Sequence, residues 1–257
     1  MIHPTAIIHP DAQIGTDVKI GPYSIIGERV SIGDGTSIGP HVVVEGPTTI
    51  GKNNTFFQFC SIGAIPQDLK FNMEETELII GDNNTFREFI TINRGTAGGG
   101  GKTEIGSNCL LMAYTHVAHD CLVGNHVIMA NNATLAGHIR IDDHAIVGGI
   151  SGIHQFVHIG SYAMIGGLSG VSKDVPPFSL AVGQRANLHG LNLTGLKRHG
   201  FSDAVLKELK IAYKLLFRSN LRTEEALEKI DAENLHSPEV RLFIDFIKNS
   251  ERGVTRE

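Results

Sequence analysis

The sequence predicts a mainly-β solenoid of three-sided coils followed by a helical C-terminal part. Three observations carry that fold class: an apolar residue at every sixth position, glycine directly after many of these residues, and a change of composition near residue 190.

Ile8, Ile14, Ile20, Ile26, Ile32, Ile38, Val44, Ile50, Phe56 and Ile62 fall six apart without a slip. The frame returns at Ile80, Phe86 and Ile92, and after a shift of one it runs from Ile105 through Leu111 and Val117 to Val171. A period of six matches neither a helix nor a long strand alternation. It matches a short strand plus a turn, with one apolar side chain per repeat pointing inward. Glycine after the marker, as at Gly15, Gly21, Gly27 and Gly33, suits a corner where a positive φ or a missing Cβ relieves crowding. Three such repeats close one coil, and stacked coils pair their backbones and bury a column of aliphatics. The recurrence predicts about eight coils, roughly 40 Å in all at ~4.8 Å per coil.

The solenoid is assigned to residues 1–188, with excursions at 63–79 and 94–104. Insertions in a solenoid leave it as loops and often build its binding surface. The second excursion contains Gly98 to Gly101 and ends in Lys102-Thr103, superficially like a phosphate loop. Its first glycine would fall on Thr96 and no helical pattern follows, so it reads as a flexible excursion.

Residues 189–257 form the helical part. Ser202 to Ser219 reads as a helix with Leu206, Leu209, Ala212, Tyr213 and Leu216 on one side. Thr223 caps a second, with Glu224 and Glu225 in its first turn, and Ser237-Pro238 starts a third. Residues 189–222 carry seven Lys or Arg against two acids, whereas residues 1–188 carry ten against sixteen. A basic shoulder on an acidic body suits an acidic partner, although a solvated helix face has the same composition.

A net charge of -5 makes nucleic acid a poor partner, and no run of apolar residues is long enough to span a membrane. Met1-Ile2-His3-Pro4 lacks the basic and apolar regions of a signal peptide. Cys60, Cys109 and Cys121 are odd in number and form no CxxC, which predicts reduced thiols in a cytoplasmic protein.

Histidines gather between 116 and 158, at His116, His119, His126, His138, His144, His154 and His158. Since aliphatics hold the inward positions, most of these imidazoles should face outward. His119, His138 and His154 are separated by 19 and 16 residues, close to one coil, which puts them on related faces of adjacent coils. An imidazole near neutral pKa can take the proton of a sugar hydroxyl attacking a thioester. Asp120 stands next to His119, but neighbours on a strand point to opposite faces, so it reaches His119 only through turn geometry. Gly137 could bring a backbone N–H close to a developing oxyanion. The rival reading is a metal site, with His116-x-x-His119 and a distant third histidine as three zinc ligands of a hydration enzyme.

The hexad pattern resembles the left-handed parallel β-helix of the hexapeptide-repeat acyltransferases, which are usually trimers. Three segments match the branch of that family that takes acyl chains from acyl carrier protein. They are Ala118-His119-Asp120-Cys121, Asn131 through His138, and His154-Gln155-Phe156. Gln67-Asp68-Leu69-Lys70 resembles its substrate loop, and Gly195-Leu196-Lys197-Arg198 its domain junction. The resemblance covers nearly the whole chain. It implies a homotrimer that moves a 3-hydroxyacyl chain from acyl carrier protein to the 3-position of UDP-N-acetylglucosamine, the first step of lipid A biosynthesis. It needs no cofactor beyond the carrier's phosphopantetheine arm and no resident metal. It also implies His119 as general base, beside Asp120, with Gly137 as oxyanion donor. His116, His138, His154 and Gln155 would line the cleft, and Gln67, Asp68 and Lys70 would meet the sugar. Asn192 and Arg198 would hold the uridine diphosphate and the acyl donor, and Gly167 would leave room for a long acyl chain.

Three residues depart from the family's familiar pattern. Asn93 replaces a histidine, Thr194 a glutamate and His199 an arginine. A 3-amino sugar acceptor, giving an amide, therefore stays open beside the ester, although relatives of that kind carry an extra N-terminal domain and here the repeats begin by residue 8. A non-catalytic trimeric scaffold is the last alternative.

Overall fold

A computed structural model of the chain describes every residue except 220 and 236. Each hexad contributes one short strand, and the strands sort by threes into parallel sheets of nine, eight and ten strands. Face one runs from Ile7–Ile8 to Gly170–Val171. Face two runs from Gln13–Ile14 to His158–Ile159. Face three runs from Lys19–Ile20 to Ser179–Val182 and is closed by the antiparallel strand Asn187–Leu191. The result is a left-handed β-helix of triangular section with a helical C-terminal part.

Registers show how the excursions are absorbed. Val44 pairs with Ile62 at the ordinary coil spacing. Ile62 then pairs with Ile92 and Ile92 with Val117, so both excursions are extruded and the ladder resumes in line, with one register irregularity between Ile62 and Ala64 where the first excursion leaves. The markers continue beyond Val171: Val175 bridges Ile159, and Ala181 pairs with Ile165. Those two rungs complete a ninth coil, one more than the sequence predicted. Proline at 176 and 177 and a shortened step between Ile165 and Ala181 hide them from a six-residue count.

Two side chains per hexad point inward, not one. The second lies two residues before the marker, on the same side of the pleat. Val18, Val30, Ile90 and Ile139 occupy such positions and are buried. Others are polar and bond to turns in the next coil. Asn54 Nδ2 donates to the Gly81 carbonyl at 2.8 Å, and Asn84 Nδ2 to that of Gly106 at 2.9 Å. Asn54 Oδ1 accepts from the Asn84 N–H at 2.9 Å, and Asn84 Oδ1 from the Cys109 N–H at 2.8 Å. Cys60, Cys109 and Cys121 sit in the same row as free, buried thiols.

The corners also differ from expectation. Positive φ falls three residues after the marker, mostly on non-glycine residues such as Asp120 (60°), His138 (61°) and Phe156 (66°). Glycine after the marker serves by its missing Cβ: a methyl on Gly33 would come within 2.7 Å of the Gly51 carbonyl in the next coil. Repetition of the corner residue stacks side chains at the coil spacing. Tyr23, His41, Phe59, Phe89 and Tyr114 form one column of rings on the corner after face three.

Four helices follow: α1 (Leu193–Arg198), α2 (Asp203–Phe217), α3 (Thr223–Ala232) and α4 (Pro238–Asn249). The sequence missed α1, whose six residues, about a turn and a half, are too short for a periodic pattern. Asn192 caps it by accepting the Gly195 N–H at 3.1 Å. The caps of α2 and α4 are Ser202 and Ser237, while α3 begins one residue earlier than expected, with Arg222 as cap and its N–H on Glu225. After α4 the chain returns to the solenoid, where Thr255 N–H donates to the Asp174 carbonyl at 2.7 Å and Val254 is buried. Among the described residues no helix is long and apolar enough to cross a membrane.

Candidate active site

His119 and Asp120 lie at the corner after face one, in the turn that follows the strand His116–Val117. Because Asp120 adopts a left-handed backbone, its carboxylate swings back toward its neighbour instead of pointing away. Asp120 Oδ2 lies 2.7 Å from His119 Nδ1, and the carboxylate is wholly enclosed. An ionised carboxylate only accepts, so Nδ1 carries the proton and Nε2 is left basic.

The glycine-rich excursion builds the other half of this carboxylate's setting. Thr96 donates its N–H to Asp120 Oδ1 at 2.7 Å and its hydroxyl to Oδ2 at 2.7 Å. Thr103 Oγ1 accepts the Asp120 N–H at 2.8 Å. Gly99 packs so closely that a Cβ there would collide with the Asp120 carboxylate. The segment read as a flexible excursion is therefore a clamp on the dyad. Nothing in the sequence linked Thr96 to Asp120, 24 residues on; Thr96 was conspicuous only as the residue that spoiled a phosphate loop.

Gly137 abuts the imidazole: a Cβ there would come 2.6 Å from His119 Cε1 and 2.8 Å from Nε2. Its N–H has no acceptor among the described residues. At the corner after face two, the equivalent N–H groups are capped by side chains of the next coil, as Ser107 N–H is by Asn125 and Asn125 N–H by Asp143. The Gly137 N–H is thus a free donor beside the basic nitrogen.

His138 stacks on Phe156 with ring centroids 4.6 Å apart, and its Nδ1 is 3.7 Å from Asp120 Oδ2. His154 and Gln155 follow one coil on, both exposed. The histidine separations of 19 and 16 arise because His119, His138 and His154 take the second, third and first places after their strands. His126 and His144 belong instead to the corner after face two, stacked on each other and on Tyr162. His116 lies on face one with Nδ1 2.7 Å from Thr91 Oγ1; burial and then the nearby His119 hold its pKa below the ordinary 6.5. It shares a groove of about 520 Å³ with Thr134, Ala136 and His154.

The remaining expected site residues lie elsewhere on the protomer. Gln67, Asp68 and Lys70 sit on the excursion leaving face one after Ser61–Ala64. Asp68 Oδ1 accepts the Lys70 N–H at 3.0 Å, leaving both Gln67 and Lys70 side chains exposed. Gly167 lies at the corner after face three, beside Gly149. Asn192 is anchored at the corner after face two, where its amide also donates to the Tyr162 carbonyl at 3.1 Å, and Arg198 is exposed at the end of α1. One protomer therefore carries these groups on three different corners. Among the departures, Asn93 is buried and donates to the Ile65 carbonyl at 2.9 Å, anchoring the first excursion. Thr194 is exposed, and His199 packs its ring edge against His144 and Tyr162.

The metal reading changes its atoms. Among the described residues, His119, Asp120 and His138 are the group whose ligand atoms lie within 4.8 Å of one another, and His116 is not part of it.

Residues 102–137 match the model of bacterial transferase hexapeptide repeats, and residues 174–255 that of "Udp N-acetylglucosamine O-acyltransferase; Domain 2". The acyl-(acyl-carrier-protein)–UDP-N-acetylglucosamine O-acyltransferase of Thermodesulfovibrio yellowstonii is 54% identical over 216 residues, 84% of each chain. The chain belongs to the UDP-N-acetylglucosamine O-acyltransferase family. The Halorhodospira halophila enzyme of the same name is 49% identical over 82% of each chain. Solved structures agree. LpxA from Acinetobacter baumannii superposes with a TM-score of 0.96 at 52% identity, over 99% of each chain. LpxA from Bacteroides fragilis, a UDP-N-acetylglucosamine acyltransferase, gives 0.96 at 45% over the full length of both. The acyltransferase family thus shares the helical part as well as the solenoid.

Proposed function

We propose that the protein transfers a 3-hydroxyacyl chain from acyl carrier protein to the 3-hydroxyl of UDP-N-acetylglucosamine, the first step of lipid A biosynthesis. The observation that carries the mechanism is the His119–Asp120 contact of 2.7 Å beside the unpaired Gly137 N–H. His119 Nε2 takes the proton of the sugar hydroxyl as its oxygen attacks the thioester carbonyl. The Gly137 N–H donates to the resulting oxyanion. When the intermediate collapses, the C–S bond breaks and the Nε2 proton passes to the departing pantetheine thiolate. Asp120 holds the ring in the basic tautomer and stabilises the transient imidazolium.

The distribution of groups over three corners supports a homotrimer in which one protomer's His119 corner faces a neighbour's surface. The exposed ring column from Tyr23 to Tyr114 offers apolar surface for such packing. In the nucleotide site, Arg198 would meet phosphate. Asn192 would act mainly by holding α1 in place, since its amide already bonds to Tyr162 and Gly195. Lys207, Lys210 and Lys214 of α2 suit the acidic surface of acyl carrier protein. Gly167 leaves space for a long acyl chain.

Incubation of the protein with 3-hydroxyacyl carrier proteins of different chain lengths and with both the 3-hydroxy and 3-amino UDP-sugars tests this reading. Mass spectrometry should show an ester on UDP-N-acetylglucosamine, with a C14 donor preferred to C10. His119→Ala should lower kcat by roughly 10²–10⁴-fold while the fold persists. Full activity in that variant, or stoichiometric zinc with no acyl transfer, would defeat the assignment.

A further inference from the structure

Arg252 lies beyond α4 in the returning C-terminal segment and was silent in the sequence. Its Nε donates to the Ser172 carbonyl at 2.7 Å, and its Nη2 approaches His154 Nδ1 at 2.9 Å. The segment is fixed on both sides. Before it, Ser250 Oγ donates to Asp174 Oδ2 at 2.7 Å. After it, Asp174 N–H donates to the Gly253 carbonyl at 3.1 Å, while Val254 and Thr255 are buried. The guanidinium is therefore delivered to His154 by main chain that is itself hydrogen-bonded into the last coil.

A guanidinium has donors and no acceptor, so His154 Nδ1 must present its lone pair to Arg252. The neutral ring then carries its proton on Nε2. The Gln155 carbonyl lies 3.1 Å from the same Nδ1 and can only accept, so it favours the opposite tautomer. Two neighbours make contrary demands on one nitrogen, and the shorter contact is the one from the cation. Nε2 has no partner among the described residues, and His154 lines the groove that also holds His116 and Ala136.

We infer that Arg252 is a positioning residue that fixes His154 as an Nε2–H donor for an acceptor oxygen of the sugar nucleotide. The C-terminal segment is thereby part of the binding site. Identifying the ligand rests on the acyltransferase reading above, whereas the tautomer does not. Without Arg252, the ring turns its proton to the Gln155 carbonyl and shows the ligand a lone pair in place of a donor.

Long-range ¹H–¹⁵N spectra of ¹⁵N-histidine-labelled protein, with the His154 signals identified by their loss in His154→Ala, read the tautomer directly. The wild type should show protonated Nε2, and Arg252→Met, which keeps the apolar stem, should show protonated Nδ1. Calorimetric titration with UDP-N-acetylglucosamine should give a Kd about 10-fold higher for Arg252→Met, the equivalent of one lost hydrogen bond. In a His154→Ala background the same change should have no further effect. A protonated Nδ1 in the wild type, or additive effects of the two substitutions, would overturn the assignment. Failure of the protein to transfer acyl groups, with the tautomers as stated, would count against the substrate and not against the role of Arg252.

Discussion

Thr96 holds Asp120 by two hydrogen bonds of 2.7 Å, and Asp120 holds His119 by a third. Bonds to an ionised, enclosed carboxylate are stronger than neutral ones, so each partner matters to the orientation of the ring. Thr96→Val keeps the shape and the N–H but deletes the hydroxyl. It should lower kcat by roughly 10-fold with KM little changed, consistent with loss of one hydrogen bond to a charged group. Asp120→Asn should cost about 100-fold or more, because the amide can present its NH₂ to Nδ1 and favour the wrong tautomer. Steady-state kinetics on both variants check this order, and a Thr96→Val enzyme slower than Asp120→Asn would contradict it. The dyad was legible in the sequence as neighbouring residues, but its geometry was not. Strand alternation separates 119 from 120, and only the left-handed turn at Asp120 reunites them.

In each repeat, the marker residue and the residue two places before it make different demands. The marker must be apolar, and the six-residue count found it. The earlier position tolerates Val, Ser, Thr, Asn or Cys because a polar side chain there can reach a turn carbonyl. That variety erased the signal. Asn84 is 1% exposed and serves both the Gly106 carbonyl and the Cys109 N–H. Asn84→Ala strands both groups and should cost about 2–4 kcal/mol. Its exposed neighbour Asn83, at φ 59°, should cost only about 1 kcal/mol when changed to alanine, the left-handed backbone penalty. Denaturant unfolding followed by circular dichroism separates the two, and equal losses would refute the inward role of Asn84. Likewise α1 was invisible because a single capped turn and a half has no period to count.

At the scale of the whole molecule, stability should have a maximum with two distinct flanks. Burial pushes the thiols of Cys60 and Cys109 from the ordinary 9.0 up to about 11, and that of Cys121 up to about 12. Unfolded thiols ionise first, so stability falls as pH rises from about 9 through 11. On the other side, burial and then neighbouring imidazoles hold His116 and His144 below 6.5. The unfolded chain binds those protons more readily, and stability falls as pH drops through that value. Thermal melts across the pH range should show both flanks. Iodoacetamide should label no cysteine in the native protein at neutral pH and all three in denaturant, and labelling of the native protein would contradict the burial. The fold class and the family were readable because both live in recurrence and contiguous strings. The clamp on Asp120, the row of polar inward residues and the reach of Arg252 were hidden because each joins residues 17 to 98 positions apart.

The coil spacing also sets which lengths of chain can change. A parallel thread with one pitch has an address for every residue, given by its place around the turn and its rung. Deleting a full pitch, such as the 18 residues that separate Ile14 from Ile32, should shorten the thread at its blunt end while every downstream address stays on its own edge. Deleting a single residue in the same stretch should rotate each later rung off its column. The chain itself obeys this arithmetic, since its two insertions bulge out as loops and hand the next rung back at the angle where it left.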